Sequence, residues 1–297
     1  MKILTFYREA YHPLRLLGRS PVTDYQYRNA IRHIDRIIGH EVDLDELNDK
    51  LLAGCLSQLI IEDRATSTAN KIRRHIFAIW RFAVEQRMTS APMPTLRKLP
   101  EPKRLPEAWT IEEMDRIFAA VRRIRGHTGE TPSHIWWRGM LQTAYYTGLR
   151  ISALMALEQE HLRQNVLRVP AELQKQNADQ VFDLPDGCVT SVLTILNFHE
   201  CRQLFPWPYD QNREDWPALV ARFRKILRAA GLPSGRKDLF HKIRRTTASH
   251  LAKAGGDATA MLGHSSEAVT LGYLDPTITG TARFSKMLPT VGRRDGQ

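Results

Sequence analysis

The amino-acid sequence predicts a mainly α-helical chain of two domains, the second carrying a small β-sheet. Three observations predict it. Apolar residues recur at spacings of three and four through the first 90 residues, prolines crowd into residues 91–108, and a second helical run is interrupted by two short strand-like stretches. A chain of 297 residues has room for a hydrophobic core in each half.

In chain order, Tyr27, Ile31, Ile34 and Ile38 form one apolar stripe and Leu44, Leu47, Leu51 and Cys55 another, each predicting a helix with one buried face. Thr66 or Ser67 is a good N-cap for a third helix that buries Ile72, Ile76, Ile79 and Phe82 or Ala83. Lys71, Arg73, Arg74 and Arg81 lie outside that stripe. Taken alone such a run reads as a solvated face; beside a polyanion it is a helix laid along phosphates. Between Ala91 and Ala108, Pro92, Pro94, Pro100, Pro102 and Pro106 are interleaved with Arg97, Lys98, Lys103 and Arg104. Proline at this density prevents a continuous helix and predicts an extended, semi-rigid connector whose cations suit a strap against a polyanion. The expected divisions are a helical domain at 1–90, a basic linker at 91–108 and a second domain at 109–297.

The second domain opens on Thr110-Ile111-Glu112-Glu113, which has capping-box form, ahead of Met114, Ile117, Phe118, Val121 and Ile124. The next helix, about residues 134–147, stops at Gly148, and Arg150 follows in the turn before a fresh helix start, a place from which a guanidinium can be aimed into a cleft. Tyr145 and Tyr146 lie within that apolar helix and read as core. Residues 166–169 and 181–184 read as two strands, joined by an exposed polar connection that contains Gln174, Lys175, Gln176 and Asn177. Helices resume at Trp216 to Ala230 and again over 240–253, where a spacing of three sets His241 and Arg244 side by side, within reach of one anion. Arg245 points about 100° away and suits a backbone phosphate, while His250 reads as structural.

Charge narrows the partner. There are 43 Lys and Arg against 32 Asp and Glu, a formal charge of +11, which favours a polyanion such as nucleic acid. No apolar run approaches the roughly 18 residues of a spanning helix, and the first residues lack the apolar core of a signal peptide, so no membrane role and a cytoplasmic location are expected. Cys55, Cys188 and Cys201 are scattered, without CxxC spacing, and indicate neither a disulfide framework nor zinc. Neither a P-loop nor an acidic cluster suited to magnesium is found.

Arg150 in TGLRISALMAL, Lys175 on a hairpin, His241 and Arg244 in HKIRRTTASHLAKAG, His264 in LGHSS and Tyr273 nine residues later resemble, in that order, the tyrosine recombinase (phage integrase) family. The resemblance spans the chain: it implies a helical core-binding domain, a basic connector and a tyrosine-recombinase catalytic domain. It further implies that the Tyr273 hydroxyl attacks a DNA phosphodiester to give a 3′-phosphotyrosine, with no ATP or metal cofactor. Arg150 and Arg244 would meet the charge of the transition state, Lys175 would protonate the leaving 5′-oxygen, His241 would act as base and His264 would hydrogen-bond the phosphate. Lys71, Arg73, Arg74, Arg81, Lys103, Arg104 and Arg245 are the expected DNA contacts. The expected partners are double-stranded DNA and three further copies of the chain, as a tetramer on paired sites.

Two positions depart from the family pattern. Ala153 stands where an acidic residue usually helps to orient the cations, for which Glu158 is a candidate replacement, and the segment Gly255–Met261 is shorter than usual by about one helical turn. Ala153 also motivates an alternative, a DNA-binding protein of this fold that no longer cuts; a transposase or resolvase variant is another. After Tyr273, Ile278, Phe284, Met287 and Leu288 are possible anchors of a tail that docks either on its own chain or on a neighbouring protomer.

Overall fold

The computed structural model describes residues 1–207, 216–280 and 288, the side chain of Trp216 excepted. The chain divides into two compact units, Met1–Lys103 and Arg104–Gln297.

The described part of the first unit is helical. Ile3–Phe6, Tyr7–Tyr11 and His12–Arg15 wind as consecutive α, π and α turns, an element that periodicity does not announce, and Tyr7 and Tyr11 pack their rings on Tyr27. Helix α1 (Pro21–Ile38) buries Ile31 and Ile34, with Tyr27 and Ile38 at the edge of the same core. Helix α2 spans Asp49–Ile61 and departs from the expected stripe. Asn48 caps it through the Leu51 amide, so Leu44 and Leu47 are buried from the preceding 3₁₀ turn (Leu44–Glu46) and its end, and the helical stripe becomes Leu52, Cys55, Leu56 and Leu59. Helix α3 (Thr66–Glu85) buries Ile72, Ile76, Ile79, Phe82 and Ala83. Its N-cap is Ala65, which offers no side-chain cap; Thr66 is already in the first turn.

No regular element occurs from residue 88 to 110, but the linker is not free. Asp49 accepts from the Thr95 amide, the Asn70 amide group bonds both the N–H and the carbonyl of Leu99, and Leu96 and Leu99 pack on the first core. At its other end Ala108 and Trp109 belong to the second core's surroundings: the Ala108 N–H donates to Asp275 and the Trp109 N–H to Thr246. The stretch that belongs to neither is thus a few residues around Lys103 and Arg104, both exposed.

The second unit contains α4 (Ile111–Arg122), α5 (Ser133–Thr147), α6 (Ile151–Met155), the antiparallel sheet β1 (Leu162–Arg163), β2 (Val166–Val169) and β3 (Gln180–Asp183), then α7 (Asp186–Leu196), α8 (Trp216–Ala229), α9 (Phe240–Lys253), α10 (Ala258–Leu262), α11 (Glu267–Leu271) and α12 (Pro276–Thr279). The expected capping box forms at Thr110 and Glu113. Helix α5 is central, packed by α4, α7 and α9. It approaches α7 so closely that a Cβ on Gly139 would lie 2.6 Å from the Ile195 side chain. Strands β2 and β3 pair Val166 with Asp183 and Val169 with Gln180, turning Leu167, Val169 and Phe182 to the core. Helix α7 is absent from the sequence expectation because Val189, Thr190, Val192, Thr194 and Ile195 are β-branched and disfavour helix; burial of Cys188, Val192 and Ile195 against α5 overrides that preference. Tyr145 packs half-buried against the core, whereas Tyr146 is 39% exposed and is not a core residue.

Candidate active site

Helix α5 ends at Gly148, whose φ of +61° few side chains adopt and whose Cβ would meet Leu262 at 2.9 Å. The chain then runs extended through Arg150, the N-cap of α6, which places the guanidinium at the end of the central helix. Arg244 sits in the second turn of α9, only 2% exposed. Its Nη1 donates to the Gly148 carbonyl (2.5 Å) and its Nη2 to the Leu262 carbonyl (2.7 Å), so the ends of α5 and α10 both hold it. In the segment before His264, Asp257 caps a five-residue α10, Gly263 ends it at φ +60°, and His264 lies in the following loop rather than on a helix.

Four of the expected residues converge here. The Tyr273 ring lies 5.0 Å from the His241 ring and 4.5 Å from the His264 ring, centroid to centroid, and 5.8 Å from the Arg244 guanidinium. Arg150 is near enough that its charge disfavours protonation of His241 and His264 and lowers the Arg244 pKa. Arg244 itself is drawn below the usual arginine range by burial first and by Arg150 second, and stays cationic at neutral pH. Burial, then the arginine charges, pushes His241 and His264 down to about 4. For His241, whose outer edge is exposed, the three surrounding arginines give the firmer reason for that direction. Both imidazoles are therefore neutral at pH 7 and able to accept a proton.

The His264 tautomer follows from its neighbours. Arg244 Nη2, which can only donate, lies 3.3 Å from Nε2, so Nε2 is the acceptor and Nδ1–H donates to Thr270 Oγ1 at 3.0 Å. In this arrangement His264 receives a hydrogen bond from Arg244 and offers none to a phosphate.

Lys175 is exposed, and among the described residues it makes no hydrogen bond or ion pair. Its neighbours do. Contrary to the expectation of an exposed connection, Gln174 is buried, and Gln176 accepts from Arg150 Nη1 at 2.9 Å. Glu158 is not the replacement for the family's acidic residue. It pairs with Arg202 at 2.8 Å, its backbone N–H donates to His161, and the methyl side chain of Ala153, buried at 2% exposure, has no polar atom to offer Arg150. Glu158, Glu160 and His161 lie close enough together to resemble a metal cluster, but Arg202 pairs with both carboxylates. Gln176 and Thr270, which hydrogen-bond Arg150 and His264, carry no motif of their own; the pattern of glutamines on both sides of Lys175 was the available signal.

Of the expected DNA contacts, Lys71, Arg74, Arg81, Lys103 and Arg104 are exposed. Arg73 is different: it donates from Nε to the Leu96 carbonyl at 2.8 Å and stacks 4.0 Å over Phe77, so its head is committed inside the first unit. Arg245 is half-buried, and its Nε is a buried atom without a partner. His250 Nε2 meets the Trp109 carbonyl, the structural role expected of it. Beyond Tyr273, Ile278 is buried against its own chain and Leu288 is 70% exposed; Phe284 and Met287 lie outside the described residues.

Comparison with known proteins finds one consistent neighbourhood. Residues 108–278 match the phage integrase family. The tyrosine recombinase XerD of Staphylococcus aureus is 23% identical over 268 residues, 86% of this chain and 88% of the relative. A lambda integrase dimer bound to a COC′ core site shares the fold at a TM-score of 0.71 and 18% identity, covering 99% of this chain and 100% of that one. The Tn1549 transposon integrase in complex with circular intermediate DNA gives 0.72 at 14% identity, covering 97% and 100%. A lambda integrase tetramer bound to a Holliday junction gives 0.72 at 19%, covering 93% and 78%.

Proposed function

The chain belongs to the phage integrase family of tyrosine recombinases, a class of DNA strand-transfer enzymes, and from that premise we propose that it cuts and rejoins duplex DNA with Tyr273 as nucleophile. One observation carries the assignment: the Tyr273 ring is flanked by two neutral imidazoles and lies beside a buried arginine that two carbonyls hold in place.

The Tyr273 oxygen attacks phosphorus, its proton passing to His241. The P–O5′ bond breaks, and Lys175 supplies the proton that the 5′-oxygen needs in order to leave as a hydroxyl. The product is a 3′-phosphotyrosine; attack by a 5′-hydroxyl reverses each transfer and rejoins the strand. Arg150 and Arg244 supply fixed positive charge to the non-bridging oxygens. A phosphate that draws Arg244 Nη2 away from His264 also raises the histidine's affinity for a proton, which turns His264 from acceptor into donor toward that phosphate.

Lys71, Arg74, Arg81, Lys103, Arg104 and Arg245 would contact the DNA backbone, and strand exchange would run in a tetramer on paired sites in the cytoplasm, consistent with the tetrameric lambda integrase on a Holliday junction. The test is a pool of nicked duplexes drawn from the DNA flanking the gene, incubated without metal with the native chain and with Tyr273→Phe. A denaturation-resistant protein–DNA complex formed by the native chain alone supports the reading. Equal DNA binding by both with no covalent product would sink it.

A further inference from the structure

Three glutamines near Lys175 form a directed chain. Gln174 Nε2 donates to the Ala178 carbonyl at 3.1 Å, and Gln180 Nε2 donates to the carbonyls of Ala260 and Met261 at 3.2 and 3.0 Å. Backbone carbonyls only accept, so these contacts fix both amides with their oxygens turned toward Gln176. Gln176 Nε2 must then be the donor, to Gln174 Oε1 at 2.6 Å and Gln180 Oε1 at 3.2 Å. Its own oxygen has one orientation left, facing Arg150 Nη1 at 2.9 Å.

We propose that Gln176 is a positioning residue for Arg150, held by this amide chain, and that the chain also fixes the backbone on both sides of Lys175. The proposal rests on the strand-transfer reading. A neutral acceptor can orient a guanidinium without cancelling its charge, so the full positive charge stays available to a phosphate; a carboxylate in the same place would pair with it. Gly263 supplies independent support, since a Cβ there would lie 2.5 Å from Gln176 Nε2. The loop that leads into His264 is thus shaped to admit the Gln176 amide, and Gln180 ties the sheet to the end of α10 directly before it.

The experiment compares the native chain with Gln176→Met, which keeps length and apolar volume and removes the acceptor. In the DNA-free protein, nitrogen-15 NMR of the Arg150 guanidinium, assigned with Arg150→Lys, reads rotation about its terminal C–N bonds. Slow rotation in the native chain and fast rotation in Gln176→Met are expected. On nicked duplex at saturating protein, covalent-complex formation should slow on the order of ten- to a hundredfold, with the DNA dissociation constant changed less than about twofold. The preference for a scissile phosphate over an uncharged methylphosphonate should shrink by a similar factor, a change that a merely destabilised loop does not produce. Gly263→Ala should move rotation and preference the same way. Guanidinium rotation that is unaffected in Gln176→Met overturns the proposal, as does an unchanged covalent rate. If the native chain forms no covalent complex with any duplex, the strand-transfer reading fails, and rotation alone decides the Gln176–Arg150 contact.

Discussion

The two walls of the active site are built differently. On one side Arg244 is sealed into the core by backbone carbonyls at the ends of two helices, with Tyr273 and His264 packed against it. On the other, Lys175 stands exposed on a loop whose grip on the site is a set of neutral amide hydrogen bonds. In the proposed reaction the buried wall would hold a charge still while negative charge grows opposite it, and burial between fixed dipoles does that without reorganisation. The exposed wall would deliver a proton and be reloaded, for which solvent access suffices. On that proposal, fixed charge and mobile proton would sit on different kinds of scaffold.

The sharpest way to break this contrast is to alter the buried wall. Arg244→Lys removes the planar fork and leaves the Gly148 and Leu262 carbonyls short of a donor. Covalent-complex formation should fall by about 10²–10³-fold, and the unmet carbonyls should cost about 1–3 kcal/mol of stability, read from denaturant unfolding. Lys175→Ala should slow the same step by about 10²-fold while leaving the unfolding midpoint where it was. A substrate with sulfur in place of the bridging 5′-oxygen needs no proton to leave and should restore Lys175→Ala, but not Arg244→Lys. Equal rescue of both would erase the distinction between the walls.

A subtler contrast lies among the histidines. His75 in the first unit and His241 and His264 in the second are all pushed down to about 4, burial being the largest cause for each. His75 is buried beside Tyr27, whereas the other two surround Tyr273. The unfolded chain binds protons near pH 6.5 and the folded chain does not, so stability is fully present above about 6.5 and is lost as pH falls from there toward 4. DNA should separate the three: a phosphate entering the pocket raises the pKa of His241 and His264 directly, whereas His75, lowered by burial first and by Arg74 and Lys71 second, should rise less when phosphates meet those two cations, as carbon-13 NMR titration of the imidazoles would register. Equal upward movement of all three would mean that the pocket is not the source of the effect.

Much of this could be read from the residues in order. Helical stripes such as Tyr27 to Ile38 survive because burial of one face dictates both spacing and structure. The ordered set from Arg150 to Tyr273 was legible because it is the pattern of the family to which the chain belongs. What escaped depends on partners remote in sequence. Helix α7 is made of residues that prefer strands and is held by α5; Gln176 has no signature until a loop folds back to Arg150; the His264 tautomer exists only once Arg244 and Thr270 flank it. Glu158 looked available by sequence distance and is occupied by Arg202.

Adjacent arginines on α3 carry the same lesson at the smallest scale. Arg73 and Arg74 read alike as members of a charge run, yet Arg73 is bonded to the Leu96 carbonyl and stacked on Phe77 while Arg74 is exposed. Arg73→Ala should cost the first unit about 1–3 kcal/mol, because a hydrogen bond from a charged donor and a cation–π contact are both lost. Arg74→Ala should leave unfolding unchanged, weaken DNA binding only a few-fold, and do so equally for cognate and unrelated duplexes. Its plot of log affinity against log salt should be shallower by about one, the mark of a single phosphate contact. An unchanged salt slope would return Arg74 to the solvated face that charge runs usually form, leaving the DNA contacts of this unit to Lys71 and Arg81.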